Sequence, residues 1–83
     1  MLVTDDIRQI LKDYSRLPVE VGGLAVDADL YRAGMTSHAS VDVMLALEAR
    51  FDVEFPDRML KRSSFESIAA IEASLTELLA ENV

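Results

Sequence analysis

Apolar residues at helical spacing are the feature that most restricts the fold of this chain. Near the N-terminus, Ile7, Ile10, Leu11 and Tyr14 recur every three or four residues, which is the period of one helix face. Two later segments repeat this spacing, and no segment alternates apolar and polar residues as a half-buried strand does. These patterns predict an all-α fold, a small bundle of three main helices plus one short helix, with a long loop between the first and second helices.

The first helix and the loop after it have recognisable boundaries. Thr4 is a suitable N-cap residue, and Pro18 should end the helix near Leu17, because the residue before a proline avoids helical angles. Residues 18–36 form a connection longer than most structureless loops, so its apolar side chains should hold it against the core. A short helical turn is expected at residues 29–33. The predicted loop anchors are Val19, Val21, Leu24, Val26 and Leu30.

The second helix is predicted from Thr36 or Ser37 to Phe51, and it has two apolar sides. The side expected to face the core carries Val43, Met44, Leu47 and Phe51. The opposite side carries His38, Val41, Asp42, Leu45 and Ala49. Because Val41 and Leu45 lie on the side that begins beside Ser37, we expect them to be partly exposed and to contact a partner. Single exposed apolar residues are also common on ordinary surfaces, so this feature alone leaves both interpretations open.

The last third of the chain predicts two more helices. Pro56 suits the first position of a short helix that includes residues 58–62. Ser63, followed three residues later by Glu66, is typical of a capping box that would open the last helix. The core-facing residues of this helix recur at helical spacing and are Ile68, Ile71, Leu75, Leu78 and Leu79.

Length and charge restrict the function. Eighty-three residues suffice for a single small domain, residues 1–83, with little room for a deep active site, so we do not expect an enzyme. The 15 acidic and 8 basic side chains leave a formal net charge of −7, which disfavours nucleic acid and anionic membranes as partners. The N-terminal residues do not resemble a secretory signal, and no apolar run has the length of a membrane span. We therefore expect a cytoplasmic protein, and a monomer.

The chain offers few groups for catalysis or metal binding. It has no cysteine and a single histidine, so we expect neither a disulfide nor a metal site. Ser37 and His38 are neighbours on a predicted helix and point about 100° apart, which places His38 poorly as a general base for Ser37. The G-x-S-x-G pattern of a nucleophile elbow is also absent.

Ser37 is the most informative polar residue, because it opens the second helix after a loop that ends in Gly34. The first N–H groups of a helix have no intrahelical partners, and the macrodipole is positive at that end. A phosphate-linked group attached to Ser37 would therefore be well placed. Alternatively, Thr36 or Ser37 only caps the helix, as serine and threonine often do.

Four stretches together resemble an acyl carrier protein. They are DLYRAGMTS at residues 29–37, VDVMLALE at residues 41–48, FDVEFPD at residues 51–57 and SFESI at residues 64–68. The resemblance covers nearly the whole chain and implies an acyl-carrier-like helical bundle. It also implies that Ser37 receives 4′-phosphopantetheine from coenzyme A through a phosphopantetheinyl transferase. The terminal thiol of that arm would then hold a cargo as a thioester.

Some residues depart from the usual pattern of that family. Thr36 and His38 flank Ser37 where the family usually has aspartate and leucine, and the second helix has only two acidic residues. The string GMTSHASV is similar to the aminoacyl carrier proteins, which are loaded by amino acid:[carrier protein] ligases related to class II aminoacyl-tRNA synthetases. That similarity implies a small amino acid cargo, such as glycine or alanine. The third helix is basic, which indicates a docking site for such a ligase.

Two groups of alternatives remain open at this point. Another acyl-loading enzyme could supply the cargo, which would make the protein a fatty-acyl, polyketide or peptidyl carrier. The chain could instead be an unmodified helical adaptor that binds another helix through its exposed apolar residues. The candidate partner contacts are Thr36, His38, Val41, Asp42, Leu45, Arg58, Lys61 and Arg62.

Overall fold

A computed structural model describes residues 3–81 of the chain; residues 1 and 2, part of the segment compared with a secretory signal above, lie outside this range. Its helices are α1 (Val3–Tyr14), α2 (Leu30–Ala33), α3 (Ser37–Phe51) and α4 (Ile68–Glu81). Short 3₁₀ turns lie at Val21–Gly23, Asp57–Met59 and Arg62–Ser64. Within residues 3–81 all regular structure is helical, which confirms the predicted all-α bundle with three main helices; the short α-helix is α2, not the one expected at residues 58–62.

The three long helices surround one apolar core. Each contributes side chains with no exposed surface, and α1 packs against both α3 and α4. An ion pair at the surface, 2.8 Å between Arg50 and Asp6, also joins α3 to α1. The fully buried residues of the three long helices are Ile7, Leu11, Val43, Leu47, Ile68, Ile71 and Leu75. The side of α3 that the periodicity predicts therefore packs into the core, and its opposite side faces solvent.

The predicted ends of α1 were wrong. Thr4 lies within the helix, which begins at Val3, so it is not the N-cap. The helix stops at Tyr14, before Pro18 can end it, because Arg16 adopts a left-handed backbone angle of φ 57° that turns the chain. Ser15 is buried in this turn, and its hydroxyl donates to the carbonyl of Leu11.

The long loop after α1 is held partly by side chains and partly by backbone hydrogen bonds. Val21 and Leu30 are buried and Leu24 is half-buried, as predicted. Val19 and Val26 are 44% and 45% exposed, so the prediction that they anchor the loop was wrong. Backbone contacts replace them: Ala69 donates to the Val26 carbonyl at 2.8 Å, and Leu30 donates to the Glu66 carbonyl at 2.7 Å. These two bonds tie the loop to the start of α4.

Gly34 ends α2 and turns the chain into α3. Its φ of 127° is favourable only for glycine, and a Cβ at this position would lie 2.8 Å from Cδ of Pro18. The next residue, Met35, is 3% exposed and fills the core beneath the turn. The close contact with Pro18 and the buried Met35 side chain hold this turn, which leads into α3, against the rest of the fold.

The segment between α3 and α4 differs most from the prediction. Two 3₁₀ turns replace the short helix expected at residues 58–62, and Pro56 lies just before the first turn in extended conformation. Ser63 opens no helix, because Phe65 is buried there and its ring packs edge-on against Phe55 at 5.3 Å. The cap of α4 is instead Ser67, whose hydroxyl accepts a 3.0 Å bond from the N–H of Ala70.

Candidate functional site

The start of α3 separates the capping residue from the candidate attachment residue. Thr36 has extended backbone angles, and its hydroxyl accepts a 3.0 Å hydrogen bond from the N–H of Ala39. Thr36 is therefore the N-cap, and Ser37 is the first residue of the helix. Ser37 is exposed, and its backbone carbonyl accepts a 2.7 Å bond from the hydroxyl of Ser40. The Ser37 hydroxyl is thus available for chemistry in solvent while Thr36 stabilises the helix.

The electrostatics at this position suit a phosphate. The N–H groups of Ala39 and Ser40 donate to Thr36, and the N–H groups before them in the first turn have no intrahelical partners. The 15 residues of α3 also align their peptide dipoles toward this end. The first turn of α3 contains no acidic residue that would repel an anion. A phosphodiester on Ser37 would therefore be stabilised by the helix end, so the residues present fit a phosphate-linked arm.

A groove of about 390 Å³ opens beside Ser37, between two walls. Such a volume is at the lower end of the range for ligand pockets in proteins. One wall belongs to α3 and is formed by Ser37, Ser40, Val41 and Met44. The other belongs to the segment between α3 and α4 and is formed by Leu60, Lys61, Arg62 and Phe65, while Tyr31 of α2 also lines the groove. The groove can thus receive an extended, mostly apolar chain attached to Ser37.

The three predicted basic contacts divide into two groups. Lys61 and Arg62 line the groove, and the guanidinium carbon of Arg62 lies 4.0 Å from the centre of the Tyr31 ring, a cation–π contact. Arg58 is not among the lining residues. Its guanidinium lies 2.8 Å from a carboxylate oxygen of Glu81 and 3.2 Å from one of Glu77, and these hydrogen bonds raise the pKa of Arg58. Arg58 thereby links the far wall to the end of α4.

The outer side of α3 carries the remaining predicted contacts. The His38 side chain is 81% exposed, and its Nε2 lies 3.9 Å from a carboxylate oxygen of Asp42, one helical turn away. Val41 and Leu45 are 48% and 53% exposed, so the predicted exposure of this side is confirmed. Of these four residues only Val41 lines the groove. The outer side therefore forms a surface next to the groove and shares Val41 with it.

Sequence analysis did not identify several residues that line the groove. Phe65 and Met44 were the easiest to find, because Phe65 lies in the SFESI stretch and Met44 follows the helical period. Tyr31 lies in the DLYRAGMTS stretch and Ser40 in the GMTSHASV string, whereas Leu60 lies outside every stretch quoted above. Their role depends on the packing of α2 and of the 3₁₀ turns against α3, which no local pattern encodes.

A comparison with protein families identifies the family of this chain. The model of the family described as "Phosphopantetheine attachment site" matches residues 5–79, which is most of the chain. The chain belongs to this family. Members of the phosphopantetheine attachment family are carrier proteins, and their cofactor is 4′-phosphopantetheine. The exposed serine at a helix start, beside a groove, is consistent with that membership.

Relatives within this family include proteins of known name and structure. The chain is 51% identical over 73 residues to the "Aminoacyl carrier protein" of Agrobacterium fabrum. The aligned region covers 88% of each protein. It also resembles the carrier protein from Agrobacterium tumefaciens in a crystal structure with an engineered Bradyrhizobium japonicum glycine:[carrier protein] ligase and AMP. That match has 49% identity and a TM-score of 0.87, covering 89% of this chain and 99% of the other.

A solution structure from Agrobacterium tumefaciens is also similar, with 46% identity, a TM-score of 0.77 and 96% of each chain covered. These relatives share the helical architecture described above.

None of the helices in residues 3–81 combines the length and apolar character that crossing a membrane requires. In the same residues, no three His, Cys, Asp or Glu side chains lie together as a set of metal ligands.

Proposed function

We propose that this protein carries a small amino acid as a thioester on 4′-phosphopantetheine attached to Ser37. One observation supports Ser37 above all: it is the exposed first residue of α3, while its neighbour Thr36 provides the cap. A serine that the helix does not need for capping can be modified without loss of the helix start. Residues 1–83 would act as a single carrier domain with no catalytic activity of its own.

The residues around Ser37 have distinct tasks in this proposal. The first turn of α3 would stabilise the phosphodiester, and Lys61 and Arg62 would add positive charge beside it. Met44 and Phe65 offer apolar surface along which the arm would lie. The arm itself supplies the thiol that the cysteine-free chain lacks.

The amino acid cargo is supported by the relatives. The named aminoacyl carrier protein shares 51% of aligned residues with this chain, and the carrier at 49% identity was crystallised with a glycine:[carrier protein] ligase. The replacement of an acidic residue by Thr36 and of leucine by His38 is consistent with partners other than fatty-acid enzymes. We propose an amino acid:[carrier protein] ligase and a phosphopantetheinyl transferase as partners of a cytoplasmic monomer.

The outer side of α3 is the proposed docking surface for these partners. Val41 and Leu45 provide exposed apolar area beside the attachment point, and His38 and Asp42 provide polar contacts. Lys61 and Arg62 extend this surface across the groove. Thr36 and Arg58 complete the candidate set, although the hydroxyl of Thr36 already caps α3 and the guanidinium of Arg58 is already paired.

Intact mass after reaction with coenzyme A and a phosphopantetheinyl transferase tests the attachment. Wild type should gain one phosphopantetheinyl group, and Ser37→Ala should gain none. Ser63→Ala is the matched control, because Ser63 is exposed and lies outside the groove, so it should be modified like wild type. Absence of modification in wild type, or modification of Ser37→Ala, would favour the unmodified adaptor instead.

A second experiment tests the cargo. The holo protein would be offered, with ATP, to an amino acid:[carrier protein] ligase with glycine or alanine, and separately to an acyl-[carrier protein] synthetase with a fatty acid. We expect efficient loading by the ligase. Efficient loading by the synthetase alone would identify a fatty-acyl carrier and contradict the amino acid cargo.

A further inference from the structure

The groove beside Ser37 has an unusual balance of charge for a protein that is acidic overall. The chain has a formal net charge of −7, yet the residues that line the groove include Lys61 and Arg62 and no carboxylate. Within residues 3–81, neither of these two cations forms a salt bridge, whereas Arg58 of the same segment has two. The groove therefore carries positive charge that no protein anion neutralises within the described residues.

A contact with a neighbouring element holds one of these two cations in place. Arg62 lies over the ring of Tyr31 at 4.0 Å, which positions the guanidinium against a groove-lining side chain. Two acids on neighbouring elements make other contacts. The carboxylate of Asp29 accepts a 3.1 Å bond from the N–H of Arg32 at the start of α2, and Asp42 faces His38 on the outer side of α3.

This charge acts differently on the two ends of a loaded arm. The phosphodiester is an anion, and cations beside it are favourable. An amino acid held as a thioester keeps a free α-amino group, which is a cation near neutral pH. Two like charges within a partly desolvated groove repel one another, and desolvation adds to the cost of placing an ammonium there. A neutral acyl group meets neither penalty.

We propose that Lys61 and Arg62 exclude the charged amino group of the cargo from the groove, so that an aminoacyl cargo stays in solvent while a neutral acyl cargo enters. This inference rests on the proposed attachment to Ser37 and adds a specificity that the attachment alone does not require. Its consequence is that the amino group remains accessible to partner enzymes, and that the carrier distinguishes aminoacyl from acyl cargo by where each is held.

A pair of cargoes that differ only in the charge provides the test. Propionyl and alanyl groups, linked by a stable amide in place of the thioester, would be transferred to Ser37 of the full chain from coenzyme A analogues. Alanyl is propionyl with an α-ammonium, which is charged at about pH 6. NMR would measure nuclear Overhauser effects (NOEs) between the cargo methyl group and the side chains of Met44 and Phe65. We expect NOEs for propionyl and their loss for alanyl.

Substitutions assign the exclusion to the two cations. In Lys61→Glu/Arg62→Glu the alanyl methyl should acquire NOEs with the groove, and in the charge-preserving Lys61→Arg/Arg62→Lys it should not. Lys12→Glu/Arg16→Glu, which changes the net charge equally but alters exposed α1 and loop residues, should behave like wild type. If the double glutamate variant does not fold, Lys61→Gln/Arg62→Gln removes the same charges and serves the same test.

The outcomes separate this inference from the proposed function. Failure to load Ser37 would overturn the proposed function and this inference with it. Successful loading with equal NOEs for the two cargoes in wild type, or with none for either, would overturn only the exclusion. Continued absence of alanyl NOEs in both charge-removing variants would also overturn it, because the exclusion would then not depend on Lys61 and Arg62.

Discussion

The two walls of the groove are held in place by different kinds of interaction. The α3 wall is a regular helix, and its start is set by neighbouring residues, the cap at Thr36 and the turn at Gly34. The opposite wall, residues 57–66, contains only three-residue 3₁₀ turns and is held by side chains of other elements and by the backbone bond from Leu30 to the Glu66 carbonyl. These contacts join Phe65 to Phe55, Arg62 to Tyr31, and Arg58 to Glu77 and Glu81.

The difference has a functional meaning. An attachment residue needs a constant position relative to the helix end that stabilises its phosphate, and a locally determined helix start provides this. The opposite wall determines which cargo and partner the groove accepts in our proposal. Because it is held by a few side-chain contacts, substitutions can change its shape and charge without altering the attachment point.

Phe65→Ala should have the largest effect, because the irregular wall depends on this side chain. Phe65 is 5% exposed and packs on Phe55, so truncation leaves a cavity and should lower the free energy of unfolding by about 3–5 kcal/mol. Leu60→Ala is the matched control in the same wall, since Leu60 is 48% exposed, and should change stability by about 0.5 kcal/mol or less. Urea unfolding measures both; equal losses would contradict this account of the wall.

Gly34→Ala should have the next largest effect and test the turn that leads into the α3 wall. A Cβ at Gly34 would lie 2.8 Å from Pro18 and require a φ of 127°, so we expect a loss of about 1–3 kcal/mol in thermal or denaturant unfolding. Gly23→Ala is the control, because a Cβ there has no atom within 4 Å. It should leave stability unchanged or raise it by up to about 1 kcal/mol. If Gly34→Ala leaves the free energy of unfolding unchanged, the turn tolerates a side chain.

Thr36→Ala should destabilise the protein by about 1 kcal/mol, because it removes the hydroxyl that caps α3. Thr36→Ser keeps a capping hydroxyl and should retain most of the stability. Hydrogen exchange at the N–H of Ala39 provides a local readout, since this group is the donor to Thr36. If exchange there is unchanged in Thr36→Ala, the cap is not formed in solution.

Arg58→Ala should have the smallest effect, because all its partners are about half exposed. We expect a small decrease in Tm at low salt that shrinks as salt is added. The hydrogen bonds to Glu81 and Glu77 raise the pKa of Arg58, so its contribution is present around neutral pH, where both glutamates are ionised, and on the basic side is lost only in strong alkali. The Tm difference from wild type should therefore be equal at pH values on either side of neutrality. Lys61→Ala is the control without a salt bridge among the described residues.

Local patterns predicted the α3 region well and the region after it poorly. The predicted span to Phe51 and the exposed Val41 and Leu45 agree with the structure, because a helix places residues by a fixed period. Ser63 was a plausible cap by spacing, but Ser67 performs that role. The sequence alone could not distinguish Ser63 from Ser67 as the cap of α4, because the packing of Phe65 against Phe55 decides between them.

The sequence by itself determined the helical class, the extent of α3 and the position of Ser37 at its start, since these depend on apolar period and on neighbouring groups. Only the tertiary structure decided that residues 57–66 form the second wall and that Arg62 contacts Tyr31. It also decided that Arg58 lies outside the groove and pairs with the end of α4. Arg58 and Glu81 lie 23 residues apart in the chain. Contacts across such separations depend on how whole helices pack, and no local pattern of residues specifies them.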